Sequence, residues 1–254
     1  MEKYGLIGYP LGHSFSKSYF NQKFSDENMD AVYENYEIAN IDSLLEIIES
    51  NPELRGLNVT IPYKEKVISY LDNISPEARA IGAVNVIKVE HHGGETTLKG
   101  YNSDVIGFTQ SIHPQLENYH KKALILGTGG ASKAIDFGLK SLGLETVFVS
   151  RYERPGTIQY SDVTPDIVKE YNVIVNCTPC GMYPHVEECP QLPYEAMDSR
   201  NLLYDLIYNP DETLFLKKGK EQGASTCNGL EMLLLQAFAS WDFWNDKQRK
   251  TQWR

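Results

Sequence analysis

Short motifs in the first 104 residues carry side chains that could bind a small acidic molecule. In the segment 8–16, Ser14 and Ser16 are alternate residues after a turn, and in an extended chain such side chains point the same way. Two parallel hydroxyls suit a carboxylate. Lys64 follows an apolar run and Asp104 precedes one. Together with the hydroxyls, these charged groups are candidates for chemistry at one site. Taken singly, the lysine also fits a surface position and the aspartate fits a helix N-cap.

A glycine cluster in the middle of the chain predicts an anion site. The apolar run 123–126 is followed by the segment 127–131, Gly-Thr-Gly-Gly-Ala, and then by a helical pattern. A strand, a tight turn and a helix N-terminus aim backbone N–H groups and the helix dipole at one point. Gly127 allows the turn and Gly129 allows close approach of a pyrophosphate, although Ser132 replaces the third glycine of the usual fingerprint. Dinucleotide binding is favoured over a plain tight turn.

The residues after the next strand indicate which dinucleotide is bound. An NAD site usually has an acidic residue there, about 20 residues after the glycines. Here the strand ends in Ser150 and Arg151, and Arg154 follows shortly. Guanidinium groups suit a 2′-phosphate, which favours NADP. Glu153 could instead bind a ribose hydroxyl, so NAD use stays open.

Alternating apolar runs and helical patterns predict an α/β protein that positions these motifs at strand ends. Helical patterns are predicted at 42–50, 134–142 and 230–241. After Arg154 only a short helix is expected, capped by Thr164 with Pro165 in its first turn. The predicted strands are 4–8, 54–60, 83–89, 123–126, 146–149, 173–176 and 201–207.

Composition narrows the class of protein. The 254 residues are 41% hydrophobic and 23% charged, with a net charge of −10. That charge disfavours nucleic acid and anionic lipid as partners. No apolar run approaches the roughly 20 residues of a membrane span, and no signal peptide is recognisable. We therefore predict a cytoplasmic protein with reduced cysteines, and a solvated polar tail over 247–254.

Cysteines and a histidine between 177 and 189 resemble a zinc knuckle in spacing. The last interval is one residue short, and the basic residues of a nucleic-acid-binding knuckle are missing. The first cysteine directly follows a buried strand, which suits neither a metal nor a redox site. We expect no metal.

The motifs together resemble the shikimate dehydrogenase family. The resemblance runs from Gly8 to Trp241 and rests on the segments 8–16, 58–64, 82–85, 100–104, 205–210 and 228–236. Four departures are notable: Lys17 stands where the family usually has proline, Ser103 replaces threonine, Ser150 replaces asparagine, and the crossover after Arg154 is short.

The resemblance implies a role for individual residues. Lys64 is the expected acid/base and Asp104 its partner. The expected substrate-binding residues are Ser14, Ser16 and Tyr208 for the carboxylate and Thr60, Asn85 and Gln236 for the ring hydroxyls. The expected cofactor-binding residues are Gly127, Gly129, Gly130, Ala131, Ser150, Arg151, Arg154, Thr178, Ile207 and Gly229.

The resemblance also implies a two-lobed protein with an α/β substrate domain and a Rossmann-like NADP domain. The predicted boundaries are 1–108 with 229–254 for the substrate domain and 109–228 for the cofactor domain, with both ligands in the cleft. The implied reaction is reversible reduction of 3-dehydroshikimate to shikimate with NADPH. The alternatives are a quinate/shikimate dehydrogenase using NAD and a silent shikimate-binding sensor. A monomer or a homodimer is expected.

Overall fold

The computed structural model describes residues 1–12 and 14–247, so His13 and most of the predicted polar tail lie outside the described residues. The chain divides into two compact units, residues 1–103 with 237–254 and residues 104–236. The sequence prediction placed these changes at 108/109 and 228/229. The first unit begins with β1 (Glu2–Gly8), α1 (Phe15–Asp26), β2 (Ala31–Glu37), α2 (Ser43–Ser50), β3 (Leu54–Val59), β4 (Asn73–Ile74), α3 (Pro76–Ile81), β5 (Val86–His92) and β6 (Glu95–Tyr101).

The first unit contains a six-stranded mixed sheet in the order β2-β1-β3-β5-β6-β4. Strands β1, β2 and β3 are parallel, whereas β5 is antiparallel to both β3 and β6. The β5–β6 hairpin turns at Gly93 and Gly94. Consequently the carboxyl ends of β1, β3 and β6 and the start of β5 meet at one edge.

The second unit holds the remaining elements apart from the last turns of the final helix. They are α4 (Asp104–Ile112), β7 (Lys122–Leu126), α5 (Gly130–Ser141), β8 (Glu145–Ser150), β9 (Thr157–Gln159), α6 (Pro165–Glu170), β10 (Val173–Asn176), β11 (Leu202–Asp205), α7 (Leu214–Glu221), β12 (Ser225–Cys227) and α8 (Leu230–Trp244).

The second sheet is parallel throughout, in the order β12-β11-β10-β7-β8-β9. Alternate residues of β7 enter different cores, as the two-residue period of a strand requires. Ala123 and Ile125 pack with α4 and α5, whereas Leu124 and Leu126 pack with α6 and α7. Helices therefore cover both faces of the sheet, which is the doubly wound arrangement.

The region after Arg154 differs from its prediction. The expected short helix is confirmed as α6, with the Thr164 side chain capping it and Pro165 in its first turn. The strand β9 was missed, and it pairs in parallel with β8 after a connection that contains no helix. Three residues are too few for a periodic pattern, which is why the sequence did not reveal it.

The packing of α4 explains why the second unit begins at Asp104. Helix α4 contacts α5 closely, because a Cβ atom on Gly138 would lie 2.8 Å from the Thr109 Cγ2 atom. Helix α4 also contacts the start of α8, where a Cβ on Gly107 would lie 2.6 Å from the Met232 carbonyl oxygen. These contacts make α4 part of the second unit from its first residue.

Candidate active site

In the first unit, the predicted substrate motifs gather at one edge of the sheet. Strand register pairs Ile7 with Val59 and Asn58 with Val86, and Val86 pairs with Tyr101. The segments that follow β1, β3 and β6 therefore leave the sheet beside the segment that enters β5. The edge thus collects the serine loop and the segments around Thr60 and Asn85.

The two serines lie at the start of α1 and not in an extended segment, so that part of the prediction is wrong. Ser14 is the N-cap, and its hydroxyl accepts a 3.2 Å hydrogen bond from the Lys17 N–H. Ser16 lies in the first turn of this helix and is partly buried. The proline that the family usually has at position 17 could not make this contact, because proline has no N–H to donate.

Thr60 and Lys64 follow β3 in a tight turn. The Thr60 N–H donates to the Ile7 carbonyl at 2.9 Å. Lys64 lies in a turn before a 3₁₀ helix over Lys66–Tyr70. Its carbonyl accepts a 2.7 Å hydrogen bond from the Val84 N–H. This bond ties the backbone of Lys64 to the residue before Asn85.

Asn85 is buried, and Ser103 hydrogen-bonds both polar atoms of its side chain. Its Nδ2 donates to the Ser103 hydroxyl at 2.9 Å, and its Oδ1 accepts from the Ser103 N–H at 2.7 Å. Asp104, the next residue, is 6% exposed and begins α4. Both polar side chains are buried, so each needs hydrogen-bond partners inside the protein.

The structure brings Ser14, Ser16, Thr60, Lys64 and Asn85 into the first unit. The remaining predicted substrate and catalytic residues belong to the second unit. The pairing of Lys64 with Asp104 therefore stays a prediction. The Gln236 side chain donates to the Leu233 carbonyl at 2.8 Å, and Tyr208 follows β11. The second-unit residues are Asp104, Tyr208 and Gln236.

In the second unit, the glycine turn has the form that the sequence indicated. Gly127 follows β7 with a φ of 102°, a conformation that a side chain would strain. Gly129 is the N-cap of α5, and Gly130 and Ala131 form its first turn. No side chain caps this helix, and a Cβ atom on Gly129 would meet no protein atom within 4 Å. The backbone N–H groups of the turn thus border open space.

Two arginines follow β8, close to that turn. The Arg154 guanidinium donates to the Thr128 hydroxyl at 3.1 Å, which places a positive charge beside the glycines. Arg151 lies over the Tyr152 ring at 5.9 Å. Ser150, at the end of β8, is buried and its hydroxyl accepts from the Tyr152 N–H. A helix N-terminus bordering open space and two guanidiniums after the strand end together fit NADP, and the exposed Glu153 lies between the two arginines in the sequence.

A buried carboxylate that the sequence did not single out organises the neighbouring strand ends. Asp205 accepts hydrogen bonds from Asn176 Nδ2 at 3.0 Å, the Ile207 N–H at 3.1 Å and the Thr213 hydroxyl at 2.6 Å. Asn176 Oδ1 in turn accepts from the N–H and hydroxyl of Thr178. Burial raises the pKa of the Asp205 carboxyl to about 6. The sequence does carry a signal for this pair, because Asn176 and Asp205 are polar residues that end two buried apolar strands. Ligands of a doubly wound sheet bind at such strand ends.

The last two predicted cofactor residues meet at the end of β12. The Gly229 N–H donates to the Ile207 carbonyl at 3.0 Å. A Cβ atom on Gly229 would overlap the Leu206 carbonyl group, so only glycine fits there. The turn that follows β11 is therefore pinned to the start of α8.

The cysteine segment shows no arrangement for a metal. Within residues 1–12 and 14–247, no group of three or more histidine, cysteine or acidic side chains is placed to hold a metal ion. Burial raises the pKa of the Cys177 thiol well above its usual value, and it also raises the pKa of Cys180. A reactive thiol needs the opposite shift. Over the same described residues, no helix is long and apolar enough to cross a membrane.

The fold and site define a class: two-unit α/β proteins with a mixed-sheet unit and a doubly wound, dinucleotide-binding unit. Residues 6–87 match the family model described as the shikimate dehydrogenase substrate binding domain. The "Shikimate dehydrogenase (NADP(+))" of Carboxydothermus hydrogenoformans is 39% identical over 257 residues, covering 94% of this chain and 90% of that protein. The chain belongs to the shikimate dehydrogenase family.

Solved structures agree over both units. The chorismate mutase/shikimate 5-dehydrogenase fusion protein of Clostridium acetobutylicum has a TM-score of 0.85 at 35% identity, covering 98% of this chain and 93% of that one. The shikimate 5-dehydrogenase of Thermus thermophilus, solved with NADP(H) and shikimate, has a TM-score of 0.83 at 29% identity. It covers 97% of this chain and 94% of that one. These matches confirm the predicted α/β fold class.

Proposed function

We propose that this protein is an oxidoreductase that reversibly reduces 3-dehydroshikimate to shikimate with NADPH, a step of aromatic amino-acid biosynthesis. One observation carries the proposal. Relatives named as NADP-dependent shikimate dehydrogenases match this chain through both units, over 94% of its length. The glycine turn, the two arginines and the buried polar edge of the first unit are consistent with that reaction.

The proposed mechanism assigns proton transfer to the chain's own residues. When bound, NADPH supplies the hydride. Reduction of a ketone leaves a negatively charged oxygen, and the Lys64 ammonium stabilises that charge and donates the proton. Asp104 orients the ammonium and accepts a hydrogen bond from the adjacent substrate hydroxyl. In the reverse direction Lys64 takes the proton back.

Binding residues position the ring for that transfer. Ser14, Ser16 and Tyr208 bind the substrate carboxylate in this proposal, through hydroxyl donors. Thr60, Asn85 and Gln236 bind the ring hydroxyls. The site for NADPH consists of the glycine turn at the start of α5, the end of β8 and the strand ends around Thr178, Ile207 and Gly229.

Glu153 supports a second candidate, a quinate/shikimate dehydrogenase that uses NAD. It stands between the two arginines after β8 and is exposed. A carboxylate there could accept hydrogen bonds from ribose hydroxyls. This candidate keeps the reaction type and changes the preferred cofactor and substrate. A silent shikimate-binding sensor remains the alternative of another class.

Initial rates of NADPH and NADH formation with shikimate test the proposal, with quinate in parallel. Turnover of shikimate with NADP⁺, and little with NAD⁺ or quinate, is the expected result. Comparable rates with NAD⁺ that fall in Glu153→Ala would establish the second candidate. Binding of shikimate without turnover of any pair would establish the sensor and contradict the enzyme.

Two further properties stay predictions. The family resemblance is compatible with a monomer or a homodimer, which sedimentation analysis would distinguish. The cytoplasmic location predicted from the sequence can be checked by cell fractionation.

A further inference from the structure

A continuous chain of buried polar side chains crosses the first unit. The Tyr33 hydroxyl donates to Asn58 Oδ1 at 2.8 Å, and Asn58 Nδ2 donates to the Ser240 hydroxyl at 2.9 Å. The Ser240 and Ser103 hydroxyls lie 3.1 Å apart, and Ser103 holds the Asn85 side chain. Ser240 is therefore the junction between Asn58 and the residue that holds Asn85.

Because these linked side chains are buried, each hydrogen bond between them contributes to holding the others in place. Tyr33, Ser103 and Ser240 have no exposed surface, and Asn58 and Asn85 are at most 6% exposed. A polar group that loses its partner in such a place is not rehydrated, so the loss disturbs its neighbours. An Asn85 side chain with a weakened support can adopt other rotamers, and its amide then no longer meets a ligand in one geometry.

At one end of this row of hydrogen-bonded side chains, the Asn58 amide can take only one orientation. Its Nδ2 also lies 3.4 Å from the Asn85 carbonyl oxygen, which can only accept a hydrogen bond. Nitrogen must therefore stand on that side, and Oδ1 must face Tyr33. The Asn58 amide has one orientation, so the Ser240 hydroxyl accepts from it.

The packing of α8 holds Ser240 in its buried position. Trp241 and Trp244, in the same helical turn, pack into the aromatic core of the first unit. The Trp244 Nε1–H donates to the Ile87 carbonyl at 3.0 Å, and Gly56 lies directly against the indole. The register of α8 against the sheet is thus fixed around Ser240.

We infer that Ser240 is a positioning residue for substrate binding: it links the fixed Asn58 amide to Ser103 and through it holds the Asn85 side chain in its binding orientation. This inference rests on the proposed function, because Asn85 is proposed there as a ligand for a ring hydroxyl. Ser240 itself is assigned no contact with the substrate.

Ser240→Ala is the direct test, with steady-state kinetics for both substrates. Loss of one neutral buried hydrogen bond to a positioning group should raise the KM for shikimate about fivefold. The KM for NADP⁺ and the kcat should stay within about twofold, because the proton-transfer residues are unchanged.

A matched control separates positioning from stability. Ser111 is also a buried serine, on α4, with its hydroxyl bonded to the Phe108 carbonyl and 2.6 Å from the Tyr204 hydroxyl. Ser111→Ala removes the same group from the core of the second unit. It should lower the melting temperature without changing the KM for shikimate.

A double-mutant cycle adds a second test that does not depend on Ser240→Ala alone. Ser103→Ala breaks the same contact from the other side, so the KM effects of Ser103→Ala and Ser240→Ala should be less than multiplicative in the double variant. Independent, fully multiplicative effects would contradict the link.

The outcomes distinguish this inference from the proposed function. A parent protein without shikimate turnover would overturn both. An active parent whose KM for shikimate is unchanged in Ser240→Ala, with only a lower melting temperature, would overturn the inference alone. A selective rise in that KM would support it.

Discussion

Asn176 and Asp205 are the last paired residues of two neighbouring parallel strands, and their side chains hydrogen-bond at 3.0 Å. The same carboxylate accepts from Ile207 and Thr213, and the same amide accepts from Thr178. One buried pair therefore fixes the loop after β10, the turn after β11 and the segment that enters α7. These three segments lie at the carboxyl ends of β10 and β11, where the cofactor is proposed to bind.

Replacing Asp205 should change how stability depends on pH. Its pKa is raised to about 6, mainly by burial, from the ordinary value of 3.8. The folded state thus binds a proton that the unfolded chain lacks between pH 6 and 3.8. The free energy of unfolding therefore increases as the pH falls from 6 to 3.8, by about 3 kcal/mol at most. Above pH 6 this contribution is lost.

Asp205→Asn is neutral at every pH, so it removes this dependence. We expect the free energy of unfolding of the parent, relative to Asp205→Asn, to increase between pH 7 and pH 4. Urea unfolding at several pH values measures it, and other titrating groups cancel in the difference. A difference that stays constant over this range would contradict the raised pKa.

Lys64→Ala should abolish most of the activity. Loss of the proton donor is expected to lower kcat/KM for shikimate by about 10²-fold or more, because the developing charge loses its cation. Asp104→Asn should also lower it, since the amide carries no charge to orient the lysine.

The neighbouring Lys66 offers a matched control for that measurement. It is an exposed lysine at the start of the 3₁₀ helix, so Lys66→Ala should keep normal rates. Near-normal turnover in Lys64→Ala would show that another residue donates the proton.

Arg154→Ala should change the choice of cofactor. The guanidinium is held beside the glycine turn by Thr128, so we expect the KM for NADP⁺ to rise about tenfold while that for NAD⁺ changes little. Arg151→Ala, without such a contact to the turn, should have the smaller effect. Equal effects on both cofactors would mean that Arg154 does not bind the 2′-phosphate.

Gly129→Ala should impair cofactor binding without destabilising the fold. Its φ of −82° is open to alanine, and the added methyl group meets no protein atom within 4 Å. The methyl would instead occupy the room that a pyrophosphate needs, so the KM for NADP⁺ should rise about tenfold or more.

Gly229→Ala provides the contrast, because its methyl would overlap the Leu206 backbone. We expect destabilisation of about 2 kcal/mol, seen as a lower melting temperature. A Gly129→Ala variant that binds NADP⁺ like the parent would contradict the proposed pyrophosphate position.

Much of the cofactor unit was predictable from local patterns. Its buried strands are continuous apolar runs, and the predicted strand 173–176 coincides with β10. Gly127 and Arg151 therefore fell at strand ends, where a doubly wound sheet binds its ligands. The serine loop was only partly predictable, because alternate residues suggest an extended chain whereas Ser14 begins a helix.

The buried polar networks could not be predicted, because they join residues far apart in the chain. Asp205 meets Asn176 across 29 positions, and Asn58 meets Ser240 across 182. No local pattern encodes such pairings; they depend on strand order and on where α8 returns. The same holds for β9, whose position is set by its pairing with β8 and not by its composition.

The return of α8 to the first unit has a consequence for the order of folding. The aromatic core around Tyr4 and Phe20 includes Trp241 and Trp244, so β1 and α1 are not fully packed until α8 is in place. The second unit needs only the first turns of α8, where Met232 packs with residues of α4 and α5. Contacts of this sequence separation are slow to form. We therefore expect the amides of β1 to gain hydrogen-exchange protection during refolding later than those of β7.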